Sequence, residues 1–206
     1  MKRLFAVLLC VLVAATLAAC VGRDPYLDAE DPVATITLED GGVMRFRLYL
    51  NEAPNTVANF ASLANRRFYD GQVFFRVVPG VLIQAGSPTN DGSGGAGYAI
   101  KGEFSANGVD NTLSHLRGTL SMARLNGEQN YDTASSQFFI VQGNYSQLDG
   151  SYAAFGTAMD VETLDTLDRI ANRPVDANNA PLAPVKIASI RVDTHDLELK
   201  PVEKIQ

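Results

Sequence analysis

Arg76 and Gln84 lie within the run VFFRVVPGVLIQAGS, residues 73–87, in which Val73, Phe74, Phe75, Val77, Val78, Val81, Leu82 and Ile83 are all apolar. A guanidinium is charged at every physiological pH and donates hydrogen bonds through a rigid fork. In such a run it either points to solvent from an amphipathic strand or is held as a donor against an apolar wall. Three later apolar segments also carry isolated polar groups: GTLSMA at 118–123, SSQFFIV at 135–141 and LDGSYAAFG at 148–156. That repetition favours the second reading, a charge isolated by a wall.

Other chemistry-bearing patterns are weaker. Residues 92–97, GSGGAG, fit G-x-G-x-x-G. A dinucleotide site needs a strand before this loop, a helix after it and an acid about 20 residues on. Here Tyr98 to Phe104 reads as extended, so the glycines are expected to form a turn. The chain has two histidines, His115 and His195. A Ser-His-Asp triad would have to use His115, whose neighbour is Ser114, but no G-x-S-x-G elbow is present. His195 falls in a polar C-terminal stretch and is expected to be solvated. With no H-x-x-x-H and no cysteine pair, neither a metal site nor a cofactor is expected. Asp165 and Asp168 fall on a helix face, where carboxylates are ordinarily solvated.

The chain has 206 residues, 46% hydrophobic and 19% charged, which suits one domain with a full core. Its net charge is −6 and no Lys/Arg cluster occurs, so a nucleic-acid partner is not expected. The first residues, MKRLFAVLLCVLVAATLAAC, read as a secretory signal: Lys2 and Arg3, then an apolar run, then small residues. The run is shorter than the roughly 20 residues of a spanning helix. Leu17-Ala18-Ala19-Cys20 resembles the lipobox of bacterial lipoproteins, which implies cleavage after residue 19 and a diacylglycerol on Cys20. Cys10 and Cys20 are the only cysteines. The exported body would then have no thiol, and 15 basic against 23 acidic residues, a net of −8. Residues 20–32 would be a tether, residues 33–193 the domain and residues 194–206 a polar tail.

Val33 to Leu50 alternates around Glu39-Asp40-Gly41-Gly42, a hairpin with a glycine turn. Pro54 opens a helix whose stripe is Val57, Phe60, Ala61 and Ala64. A second helix spans Val161 to Asn172, with Leu164, Leu167 and Ile170 on one side, and Pro174 stops it. The remaining apolar segments are short and separated by glycine-rich loops, as in a barrel or sandwich.

The chain resembles the cyclophilin-type peptidyl-prolyl cis/trans isomerases. The matching motifs are F-x-R-V-x-P-G-x-x-I-Q-x-G at Phe74 to Gly86, G-T-L-S-M-A at 118–123, S-Q-F-F-I at 136–140 and L-D-G-x-x-x-x-F-G at 148–156. Their order and spacing match as well, over roughly residues 33 to 193. The resemblance implies a closed eight-stranded antiparallel barrel capped by two α-helices. It implies that Arg76 is catalytic, with Gln84 beside it. Val81, Leu82, Phe139 and Leu148 would line a proline pocket. Ala123, Arg124 and Gln137 would line the peptide-backbone groove, Phe75 and Tyr152 its rim, and His115 would be structural support. Three departures stand out: Val81-Leu82 where the family has Phe-Met, Arg124 where it has asparagine, and Gln147 where it often has tryptophan. A wider, shallower pocket and weak inhibition by cyclosporin-type ligands are expected from these.

The chemistry suits the residues. An X–Pro bond has a barrier of roughly 18–20 kcal/mol because the planar form is resonance-stabilised. In the twisted transition state the proline nitrogen gains a lone pair, and a fixed guanidinium can donate to it. Gln84 would hold Arg76 or meet the substrate carbonyl. The partners expected are proline-containing segments of exported proteins, and the membrane through Cys20. A monomer in the cell envelope is expected, at the outer membrane if there are two, since Val21 replaces the aspartate that often retains lipoproteins at the inner one. A proline-binding module with little turnover and a structural lipoprotein remain alternatives.

Overall fold

The computed structural model describes residues 30–205. The expected signal peptide, Cys20 and most of the expected tether lie outside these residues. Eight strands form one antiparallel sheet: β1 Val33–Leu38, β2 Val43–Leu48, β3 Arg76–Val78, β4 Leu82–Ala85, β5 Thr119–Met122, β6 Phe138–Val141, β7 Ala154–Ala158 and β8 Ile187–Asp193. Their order is β3-β4-β6-β5-β7-β2-β1-β8. Two helices accompany them, α1 Pro54–Asn65 and α2 Val161–Ala171.

The sheet is a curled half-barrel and not the closed barrel expected from sequence. Its end strands, β3 and β8, have no ladder between them. A single bridge, Val73 to Lys186, crosses the seam. Beside it, Phe74 N donates to Val185 O at 3.0 Å, and Ile187 N donates to Gln72 O at 2.8 Å. The residues before β3 are engaged elsewhere: Val73 N donates to the side chain of Asn90 at 2.9 Å. The seam is stitched by a few bonds where a strand pair would have closed it.

Strand alternation explains the continuous apolar runs. Phe74, Val77, Ile83, Ala85, Leu120, Met122, Phe138 and Ile140 enter the main core, in which Phe138 meets Phe60 of α1 edge to face at 5.4 Å. The opposite parity, Leu82, Phe139 and Val141, builds a second, smaller apolar cluster on the outer face. Strands apolar on both faces lose the period-2 signal and read as unbroken hydrophobic stretches.

α1 starts with Pro54 at its first turn and has no local side-chain cap. The buried Glu103 supplies one from a distant loop, accepting from Asn55 N at 3.0 Å and Thr56 N at 2.7 Å. α2 is capped by Asp160, which accepts from Thr163 N at 2.7 Å. Its buried side is Thr163, Thr166, Leu167, Ile170 and Ala171, with Leu164 only partly covered. Residues 194–205, expected as a polar tail, fold back onto the domain, and Leu197, Leu199 and Val202 pack against the core. His195 is half-buried within this segment, its Nδ1 at 3.6 Å from Asp193.

Candidate active site

Register places the expected site residues in one row on the outer face. Arg76 of β3 is opposite Gln84 of β4, Gln84 is opposite Phe139 of β6, and Phe139 is opposite Ser121 of β5. Arg76 is solvent-exposed and not the charge isolated by an apolar wall that the sequence suggested, because it stands on the outer face of the three-residue end strand β3. Its Nη1 donates to Gln84 Oε1 at 3.1 Å. Gln84 Nε2 in turn donates to Gln137 Oε1 at 3.0 Å, and Gln137 Nε2 donates to the carbonyls of Gly92 and Gly94 at 2.9 and 3.0 Å. Both amide side chains are thus oriented by a relay that ends on backbone.

Gly86 keeps this relay tight. It has φ +92°, and a Cβ there would sit 2.8 Å from Gln137 Cα and collide with the Ser136 carbonyl. Only glycine lets the end of β4 approach the start of β6 this closely.

Arg76 borders a cavity of about 380 Å³ whose apolar walls are Leu82, Phe139 and Leu148, with Tyr152 at one side. Gln84, Ala123 and Arg124 also line it. The Tyr152 ring stands edge-on to Phe139 at 5.8 Å. Val81 packs against the outer apolar cluster but does not line this cavity. Phe75 also lies outside it, with its ring against Gly92: a Cβ at Gly92 would fall 2.9 Å from Phe75 Cε2.

A second cavity of about 540 Å³ adjoins the first, sharing Gln84, Ala123, Arg124 and Leu125 with it. Its other walls are Gln137, Tyr98, Ser135, Thr133 and the glycine loop. The G-x-G-x-x-G stretch is therefore a cavity wall. The chain after it runs on to two isolated bridges, Ala99 to Ile205 and Ile100 to Ala134, without the helix a dinucleotide fold requires.

Arg124 lines both cavities, and three of its five N–H donors are turned to backbone carbonyls. Nε donates to Ser151 O at 2.8 Å, and Nη1 donates to Leu125 O at 2.8 Å and Gly127 O at 3.1 Å. Its Cζ lies 4.5 Å from the Tyr152 ring centre and 5.0 Å from that of Tyr131. It clasps the loop 125–133 to the wall that carries Tyr152. Sequence alone does not show this use of Arg124, because the acceptors are carbonyls and rings of distant segments.

His115 is fully buried under Phe139, with the two rings stacked at 6.0 Å. Its Nδ1 meets Asp149 at 2.8 Å and its Nε2 meets Ser121 Oγ at 3.0 Å. Burial holds the imidazole pKa below its ordinary value, although Asp149 pulls the other way. Burial would raise the Asp149 carboxyl, but hydrogen bonds from the His115 backbone, the His115 ring and Ser114 outweigh it and hold that group low. Ser-His-Asp connectivity is thus present, but Ser121 Oγ is no nucleophile: Ser121 is 0% exposed in the middle of β5. The neutral ring instead fixes Phe139 from below.

Comparison with known proteins agrees with this geometry. Residues 33–192 match the family described as cyclophilin type peptidyl-prolyl cis-trans isomerase/CLD. Peptidyl-prolyl cis-trans isomerase B of Bacillus subtilis is 47% identical over 119 residues, 58% of this chain and 78% of that protein. A peptidyl-prolyl cis-trans isomerase of Acinetobacter baylyi is 40% identical over 161 residues, 73% of this chain and 80% of that one. A cyclophilin-type isomerase of Cryptosporidium parvum, crystallised in the presence of the dipeptide Ala-Pro, superposes with a TM-score of 0.68 at 31% identity, covering 78% of this chain and 98% of that one. With the family spanning nearly all of the described sheet and both helices, this chain belongs to the cyclophilin-type peptidyl-prolyl cis-trans isomerases.

Proposed function

We propose that the protein accelerates cis/trans isomerisation of X–Pro bonds in exported polypeptides, held at the cell envelope by a lipid on Cys20. The observation that carries the catalytic part is Arg76, aimed by Gln84 at the edge of the cavity walled by Leu82, Phe139 and Leu148. The proline ring occupies that cavity, and the flanking backbone lies along Gln84, Ala123 and Gln137. Substrate then covers the exposed guanidinium and lowers the dielectric around it, which strengthens its hydrogen bond. Arg76 donates to the proline nitrogen only when twisting frees the lone pair, so the twisted form is bound better than either planar form. The proton stays on Arg76 throughout, and no covalent bond is made.

Magnitudes divide the work. Moving from an uncatalysed rate near 10⁻² per second to about 10³ per second requires roughly 7 kcal/mol. One preorganised donor supplies about 3–4 kcal/mol. The cavity's grip on the ring and the groove's grip on the chain supply the remainder.

The envelope assignment rests on the sequence: Leu-Ala-Ala-Cys after a basic start and an apolar run, followed by a thiol-free body. A [³H]palmitate label lost in Cys20→Ser, together with membrane fractionation, tests it. NMR exchange spectroscopy on an Ala-Pro peptide tests the isomerase: cross-peaks between cis and trans forms should appear at catalytic protein concentration. One observation favours the second reading, a proline-binding module with little turnover. Val81 packs on the outer apolar cluster and contributes no wall to the cavity. Peptide binding without exchange peaks would establish that reading.

A further inference from the structure

The family match ends at residue 192, but the chain continues in an ordered path to residue 205. We infer that this C-terminal segment is a strap that positions one wall of the larger cavity, so that recognition of the chain flanking the proline depends on it. The inference rests on the isomerase reading above and adds a specificity element to the same site.

The strap is fastened at three points. First, Asn55, at the start of α1, bonds it in both directions: its Nδ2 donates to Glu203 O at 3.0 Å and its Oδ1 accepts from Glu203 N at 2.8 Å. Second, Ile205 and Ala99 exchange both backbone bonds, Ile205 N to Ala99 O at 2.7 Å and Ala99 N to Ile205 O at 3.0 Å. Third, Lys204 Nζ stands 4.2 Å from the centre of the Tyr98 ring.

Those contacts fall on the cavity wall itself. Residues 98–100 form a short thread between the strap and residue 134, because Ile100 N donates to Ala134 O at 2.8 Å on the other side. Tyr98 and Ser135, both lining the cavity, are knitted together. Ser135 Oγ donates to Tyr98 O at 2.6 Å, Tyr98 OH donates to Asn59 Oδ1 at 2.7 Å, and Asn59 Nδ2 donates to Ser135 O at 2.7 Å. Without the strap, Ala99 would show an unpaired N–H and C=O at an edge, and the Tyr98 ring would lose the cation on one face. The apolar walls of the proline cavity are not directly touched by this change, since neither Tyr98 nor Ser135 lines it.

The strap therefore acts on substrates long enough to reach the larger cavity, and acts through positioning. The test compares the parent, a chain ending at Val202 and the 206-residue chain carrying Lys204→Gln with Ile205→Pro. The first variant keeps the core contact of Val202, and the second keeps full length. Each is assayed on a minimal Ala-Pro peptide and on one extended by several residues on both sides of the proline. The expected result is a rise in KM of about fivefold for the extended peptide, with kcat held and the minimal peptide unchanged within about twofold. An equal loss on both peptides would mean a purely structural tail, and no change on either would mean a passive one; each overturns the inference. A parent inactive on the minimal peptide would remove the isomerase reading itself, and the strap's role with it.

Discussion

Arg76 and Gln84 face each other across β3 and β4 in direct register, with Arg76 Nη1 donating to Gln84 Oε1 at 3.1 Å. The turn between them, Pro79-Gly80, sets that register, and Gly80 takes φ +77°. Cross-strand pairing thus aims the guanidinium, and Gln84 is itself aimed by Gln137. This pairing is what the proposed mechanism asks of a donor oriented ahead of substrate.

Gln84→Ala should release Arg76 without removing it. Both side-chain bonds of Gln84 are lost, and the one that orients Arg76, worth about 1–1.5 kcal/mol, should lower kcat roughly tenfold with little change in melting temperature. Steady-state exchange rates read this, and a smaller loss than that of Arg76→Ala is expected.

Arg124→Ala should loosen the loop 125–133 and the Tyr152 wall together. Three carbonyl bonds and the stacking on Tyr152 and Tyr131 are lost, at about 1–3 kcal/mol in total on a partly exposed group. Urea denaturation should show it, and Arg124→Lys should rescue little because an ammonium cannot reproduce the fork.

Below neutral pH, His115 should limit stability. Its folded-state pKa lies under the ordinary value of about 6.5 because of burial, so the unfolded chain takes up the proton first. Stability is then complete above about pH 6.5 and falls as pH drops through the folded-state pKa. Asp149, also held low, adds its own loss only below the ordinary carboxylate range. In His115→Gln the slope of stability against pH just below 6.5 should flatten, whatever the substitution does to absolute stability.

Val81→Phe should extend the outer apolar cluster toward the cavity walled by Leu82 and give a bound proline ring a further apolar contact. About 50 Å² of added apolar contact is worth roughly 1 kcal/mol, so KM should fall about fivefold. A titration of peptide chemical shifts would measure it.

Much of this site was legible because its signals are local. Arg76 and Gln84 sit in one hairpin motif, and the stripes of α1 and α2 follow helical period. The parts that sequence left open depend on contacts across the chain. Glu103 caps a helix 47 residues away, Arg124 turns to the carbonyl of Ser151, and Glu203 pairs with Asn55 over 148 residues. Such bonds leave no periodicity. The closed barrel failed for a related reason: whether β3 and β8 pair depends on how far the sheet curls, which neither strand encodes alone. Val81 and Phe75 share the apolar character of their neighbours, and only the strand geometry separates them from the cavity lined by Leu82.

The most direct measurement is the cis/trans exchange rate on one Ala-Pro peptide for the parent, Arg76→Lys and Arg76→Ala, with folding checked by melting temperature. The expected result is a loss of about 10²–10³-fold in kcat/KM for Arg76→Ala at nearly parental stability, with Arg76→Lys recovering only part. Equal rates for parent and Arg76→Ala would contradict the assignment of the guanidinium as the group that stabilises the twisted bond.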